Sequence, residues 1–265
     1  MTKPRNYQTE AIIIKKVKLG EADRILTLYT PHLGKIQGVA KGIRRPRSKL
    51  AGHLELLTYS LVSLAHGRNL DIIIGSQTIE SFLSLKSDLW LTSCALYATE
   101  LINQFTADHI ENQSLFWLLL ETIRRLSEVG DIELVLRHYE MHLLNEVGYR
   151  PELMNCASCH SKLKPVTNVF SPSSGGVLCP KCSRIHTLTY PLSVNTLKVL
   201  RLLQNSDYET ASKIKMNPDI SREMENVITH YIEYLLERGV KSAVWLNILR
   251  EQIKEETLNQ VVISQ

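Results

Sequence analysis

Apolar and polar positions alternate in short runs from the start of the chain to about Glu80, then recur at helical spacing. Ala11-Ile12-Ile13-Ile14 opens a first strand. Arg24-Ile25-Leu26-Thr27-Leu28-Tyr29 alternates as a half-buried strand does. A third follows Gly34 over Lys35–Ala40, a fourth spans Leu54–Leu64, and Leu70–Ile74 is a fifth after the turn signal His66-Gly67-Arg68-Asn69. Five short strands without a helical crossover predict a small closed barrel of the OB type.

Near residue 80 the period changes. Asp88 is placed to cap a helix whose apolar stripe holds Leu89, Trp90, Leu91, Leu96, Tyr97, Leu101 and Ile102. Gln113–Val129 and Ile132–Val147 repeat the pattern, with Gly130-Asp131 between them and Gly148 as a stop. Helical spacing returns from Ser193 to Glu256, and Val261–Gln265 reads as a frayed end. The expected architecture is multidomain, β followed by α. An OB-fold nucleic-acid-binding domain covers 1–80 and an all-helical domain covers 81–265, with a turn-rich four-cysteine zinc module inserted at about 151–190.

Charge sharpens this division. The net charge of the chain is +4, yet residues 1–80 hold 13 Lys/Arg against 6 Asp/Glu, so the barrel segment is basic and the remainder mildly acidic. Lys35, Lys41, Arg44, Arg45, Arg47 and Lys49 crowd one stretch, and no acid stands between the first and the last of them. Gly42 and Pro46 keep that stretch from forming a regular helix, so a mobile loop after a strand is expected. A cationic loop on a barrel can track phosphates, each contact releasing counterions. The alternative is a solvated loop with no ligand. Tyr7, Tyr29 and Tyr59 are the only aromatics of the barrel segment and read as core rather than as base-stacking platforms.

Cys156-x2-Cys159 and Cys179-x2-Cys182 have the internal and mutual spacing of a four-thiolate zinc site. A closed shell of four thiolates leaves no position for water or substrate, so one structural Zn²⁺ is expected. Cys156-Ala-Ser-Cys-His160 also fits the c-type haem attachment pattern, but that chemistry needs export, and no apolar segment of a secretion signal follows Met1–Arg5. Disulfides are disfavoured on the same ground, which places the protein in a reducing cytoplasm. No run approaches the ~18 apolar residues of a membrane span. The fifth cysteine, Cys94, reads as a small buried hydrophobe.

Enzyme signatures are missing. There is no GxxxxGK[ST] loop, no GxSxG elbow and no acidic cluster for two-metal phosphodiester cleavage. His138 and His142, four apart on a helix, could share a metal but equally arise on an ordinary helix face. Two other readings compete with non-catalytic DNA binding: a zinc-ribbon adaptor that binds only protein, and a zinc-dependent nucleic-acid enzyme. A deaminase of the latter kind needs an HxE element and a water-accessible metal.

Several motifs, in order, resemble the RecO family of recombination mediators. They are Glu21-Ala22-Asp23-Arg24, Thr30-Pro31-His32-Leu33-Gly34-Lys35, Val39-Ala40-Lys41-Gly42 and Ser48-Lys49-Leu50-Ala51-Gly52 in the barrel. In the helical part they are Tyr97–Leu101, Arg137-His138-Tyr139-Glu140, Gly148-Tyr149-Arg150-Pro151, Cys156-x2-Cys159 and Gly175–Cys179. The resemblance covers roughly residues 7–183. It implies a protein in DNA repair that binds single- and double-stranded DNA and anneals complementary strands. It also implies work with RecR to load RecA on strands coated by single-strand-binding protein, in the nucleoid, with no bond broken. It further implies that the helical domain grips the acidic, Phe-terminated tail of single-strand-binding protein, with Arg137 at the matching position as the fork for a tail carboxylate.

Overall fold

The computed structural model describes residues 5–128 and 130–263, the backbone alone for 254 and 256–263. Val129, where one expected helix ended, and Ser264 and Gln265 of the expected frayed end lie outside the described residues. The chain forms two compact units, residues 1–128 with 242–265 and residues 129–241.

Unit 1 begins with strands β1 (Asn6–Leu19), β2 (Asp23–Thr30), β3 (Gly34–Ala40), β4 (Tyr59–Ala65) and β5 (Asp71–Glu80). They close into a barrel in the order β1-β2-β3-β5-β4, antiparallel except for the short parallel β3–β5 pair, Gly38↔Asp71 and Val39↔Ile72. This is the OB-type barrel the alternation predicts. Ala11, Ile13, Leu26, Leu28, Val62 and Leu64 fill it from three strands, every second residue pointing inward. The fourth strand starts at Tyr59 rather than Leu54, because Ala51–Leu54 winds into a 3-10 turn and Leu57 takes a left-handed backbone at φ 60. Tyr29 is fully buried, Tyr59 donates to Glu10 and Tyr7 to Asp71.

Helices α1 (Leu83–Ser87), α2 (Leu89–Phe105) and α3 (Gln113–Leu126) belong to the same unit. The Asp88 carboxylate accepts from Leu91 N at 2.9 Å, the cap expected for α2, and Asn112 does the same for α3 through Leu115 N at 3.0 Å. Phe116 of α3 packs against Tyr29 and Tyr59, which ties that helix to the barrel wall.

In unit 2, Asp131 caps α4 (Ile132–Glu146), which stops before Gly148 at φ +82. Strands β6 (Asn168–Ser171), β7 (Gly176–Leu178) and β8 (Tyr190–Leu192) make a small antiparallel sheet in the order β7-β6-β8. Ser193 caps α5 (Val194–Asn205), and α6 (Tyr208–Ala211) and α7 (Pro218–Leu236) complete the unit. Leu144, Leu200, Leu203, Val227 and Ile228 are buried, and Phe170 of β6 meets Tyr231 of α7 edge-on at 5.2 Å. From Ser242 the last helix, α8 (Lys241–Ile263), returns to unit 1, where Ser242 N donates to Glu100 Oε2 at 2.8 Å. Among the described residues no helix is long and apolar enough to cross a membrane.

A cationic loop and a four-cysteine cluster as candidate sites

The loop after β3 is built as a run of turns, tied to the start of β2. Asp23, at the start of β2, accepts Gly42 N at 2.7 Å; Arg44 N donates to Ala22 O at 3.0 Å and Arg44 Nη1 to Glu21 O at 2.8 Å. Beneath, Ile43 is 5% exposed in the barrel core, and Leu50 and Ala51 pack against the same cluster. The Glu21-Ala22-Asp23 turn therefore clamps the Lys41-Gly42 turn, although β2 and β3 separate them along the chain. Above this footing Lys41, Arg44, Arg45, Arg47 and Lys49 are exposed, and none forms an ion pair among the described residues.

Strand register adds two cations that the sequence reading missed. Lys18 stands opposite Arg24, and Arg24 opposite Ala40, the residue before Lys41. The signal lay in the alternation Lys16-Val17-Lys18, but only the pairing shows which loop those side chains adjoin.

Lys35 is a correction to the expected set. It is 9% exposed, and its Nζ donates to Asn103 O at 2.8 Å and Thr106 O at 2.7 Å, with Asp108 Oδ1 at 3.4 Å. Its charge satisfies the carbonyl end of α2, where a cation is favoured, and is not offered to a phosphate.

The second site lies in unit 2. The Sγ atoms of Cys156, Cys159, Cys179 and Cys182 all fall within 4.8 Å of one another. Cys159 Sγ and Cys179 Sγ are 3.9 Å apart, close to the roughly 3.8 Å edge of a tetrahedron with about 2.3 Å metal–sulfur bonds. Each pair sits on a tight turn. His160 N donates to Cys156 O at 2.8 Å with His160 at φ 59, and Ser183 N donates to Cys179 O at 3.0 Å. Glu152 ties the two halves together, its N donating to Gly175 O and its O accepting Val177 N, both at 2.9 Å. A Cβ on Gly176 would lie 2.5 Å from Glu152 O, so only glycine permits this approach.

Crowding splits the thiols. Hydrogen bonds from Ser161 hold Cys159 down at about 6. A hydrogen bond from Ser158 pulls Cys182 down, but its neighbour Cys159, burial and then Cys179 together push it up to about 12. Four sulfurs this close are a soft donor set that could hold one metal ion. His138 and His142 make no such site. Their rings stack at 4.1 Å, and His142 Nε2 lies 3.1 Å from both Leu203 O and Ser206 O at the end of α5. Cys94 is fully buried.

Residues 1–82 match the family described as Recombination protein O N terminal, and residues 86–243 match Recombination protein O C terminal. The chain belongs to the RecO family. A DNA repair protein RecO from Dehalococcoides mccartyi (strain CBDB1) is 48% identical over 250 residues, 94% of this chain and 98% of the relative. One from Roseiflexus sp. (strain RS-1) is 41% identical, covering 94% and 88%, and one from Halalkalibacterium halodurans is 31% identical, covering 92% and 95%. The junction between the two RecO matches falls where the barrel ends.

Its placement corrects Arg137 as well. It is 2% exposed on α4, and its Nη2 donates to Glu140 Oε1 at 2.8 Å, with Glu140 itself fully buried. A guanidinium so enclosed is a structural ion pair and does not present a fork to a peptide carboxylate.

Proposed function

We propose that the protein acts in DNA repair as a recombination mediator. It binds single- and double-stranded DNA and anneals complementary strands. With RecR, it helps load RecA on strands coated by single-strand-binding protein. The observation that supports this reading is the row of five exposed cations on an anchored loop of the barrel, in a chain of the RecO family. The functional division is residues 1–80 for DNA and 81–265 for the body, with the cysteine module at about 151–190.

The mechanism is charge neutralisation. Complementary strands repel through their phosphates, and Lys41, Arg44, Arg45, Arg47 and Lys49 offset that repulsion while holding strands at high local concentration. Lys18 and Arg24 extend the same surface along β1 and β2. No covalent step belongs to this role, and the protein works as a binding platform in the nucleoid. The ion held by Cys156, Cys159, Cys179 and Cys182 is zinc, which braces the knuckles rather than activating water. The acidic tail of single-strand-binding protein still calls for a cation beside an apolar pocket, but Arg137 does not supply it.

The test follows annealing of two oligonucleotides coated with single-strand-binding protein, without nucleotide, with strand lengths read on a denaturing gel. Faster annealing of intact strands supports the mediator. Intact strands with no acceleration leave the adaptor reading, and shortened strands mean a nuclease.

A further inference from the structure

Strand β1 divides its partners. Asn6–Ile12 pair with β4 and Ile12–Leu19 with β2, so residues 6–11 have no strand on their β2 side. Ile13 N donates to Thr58 O at 3.1 Å, Ile13 O accepts Leu57 N at 2.9 Å, and Arg5 O accepts His66 N at 3.0 Å. Odd positions thus direct their backbone groups to the β4 side, and by alternation Asn6, Gln8 and Glu10 direct theirs to the open side. Glu10 O takes the Thr9 hydroxyl at 3.1 Å; the other open-side groups have no protein partner among the described residues. Exposed edges are usually blunted by lysine or proline, and Asn6-Tyr7-Gln8-Thr9-Glu10-Ala11 contains neither.

This edge is the floor of an open groove of about 1020 Å³, within unit 1. The Pro31-His32-Leu33 turn and Gln113 and Trp117 of α3 line it together, His32 Nδ1 lying 3.3 Å from Gln113 Nε2, with Trp117 44% and Leu33 38% exposed. Two carboxylates line it, Glu10 accepting from Tyr59 and Asp71 from Tyr7, with His66 3.4 Å from Asp71 and His32 and His109 nearby, and no lysine or arginine does, in a barrel segment that is otherwise strongly basic. The groove takes in the first turn of β3, whereas the cationic loop leaves the far end of that strand, roughly 20 Å away along it.

We propose that this groove binds an extended apolar and basic segment of a partner protein, which adds to β1 as a further strand. The unused N–H groups of Gln8 and Glu10 and the C=O of Gln8 take the segment's backbone, Trp117 and Leu33 take its apolar side chains, and Glu10 and Asp71 select lysine or arginine. The acid lining disfavours both a phosphate backbone and an acidic tail, so the site is separate from DNA binding.

The test measures anisotropy of a labelled hexapeptide alternating valine with lysine, added to the full chain. It is expected to bind at least about tenfold more tightly than its glutamate counterpart, and to lose binding when alternate amides are N-methylated. Gln8→Pro removes an N–H that the barrel does not use, and is expected to weaken the peptide about tenfold while leaving duplex affinity unchanged and lowering the unfolding midpoint no more than Gln8→Ala, which also loses the exposed Gln8–Ser63 hydrogen bond. Equal binding of the N-methylated or the glutamate peptide overturns the proposal. So does displacement of the peptide by a DNA oligonucleotide, or self-association of the chain that Gln8→Pro abolishes. Should Gln8→Pro not fold, the N-methylation comparison decides alone.

Discussion

Lys41 and Lys35 belong to the same cationic stretch of sequence, yet only Lys41 is left exposed, and the difference is measurable. Lys41 is exposed beside the clamped turn, whereas Lys35 is spent on Asn103 O, Thr106 O and Asp108. A phosphate contact on duplex DNA contributes a slope of about 0.9 in log K against log salt, and about 0.7 on a single strand. At about 0.1 M salt that is roughly eightfold in affinity, or about 1.2 kcal/mol, vanishing toward about 1 M. Lys41→Ala is therefore expected to lower the duplex slope by about 0.9, and Lys41→Ala with Arg45→Ala by about 1.8, costing roughly sixtyfold in affinity. Lys35→Ala leaves the slope unchanged. It instead strips charged donors from the end of α2 and destabilises unit 1 by about 2–4 kcal/mol. Fluorescence anisotropy of a labelled duplex across a salt series, with urea unfolding in parallel, reads both quantities. An unchanged slope in the double variant, or a Lys35→Ala slope that falls as far as that of Lys41→Ala, refutes the assignment.

Gly176→Ala forces a methyl against the Glu152 backbone and parts two hydrogen bonds, a loss of about 2–3 kcal/mol that should appear as a lower unfolding midpoint and weaker metal retention. Chelation of the metal is expected to open 151–190 to trypsin while the salt slope of DNA binding stays unchanged; undiminished protection would exclude a bracing role. Arg137→Ala takes the guanidinium away from the buried Glu140 carboxylate and costs about 3–5 kcal/mol, whereas Arg137→Met with Glu140→Leu recovers most of it in urea unfolding. Burial lowers the Lys86 ammonium to about 8, below the roughly 10.4 of an unfolded chain, so the unfolded state holds more protons between those values. Stability relative to Lys86→Met should consequently rise with pH through that window, and thermal melts giving parallel profiles would contradict the sign.

The barrel was legible because alternation is a local signal: Arg24–Tyr29 and Lys35–Ala40 appear as strands within one residue of their observed limits. The Asp88 cap and the Gly148 stop were legible for the same reason, each acting within one turn of its own helix. Cys156-x2-Cys159 and Cys179-x2-Cys182 could be paired from spacing alone, since each pair occupies one tight turn. Lys35 and Arg137 were misjudged because burial is set by distant chain. The carbonyls that absorb Lys35 belong to Asn103 and Thr106, far downstream of the barrel strand that carries it, and a charged residue in a helix reads as exposed until its surroundings are known. Pairing register likewise governed Lys18, Arg24 and the open side of β1, and no window of sequence contains it.

Unit 1 is discontinuous. Residues 1–128 are completed by a segment that begins at Ser242, after the whole of unit 2 has been passed. During synthesis, residues 129–241 emerge as an uninterrupted piece with every element of their own core, while the barrel unit must wait for the segment from Ser242 onward to supply α8. A ribosome stalled late in translation would thus hold a finished second unit beside a first unit still lacking the Ser242–Glu100 link. A later segment closes the unit whose strands were made before unit 2.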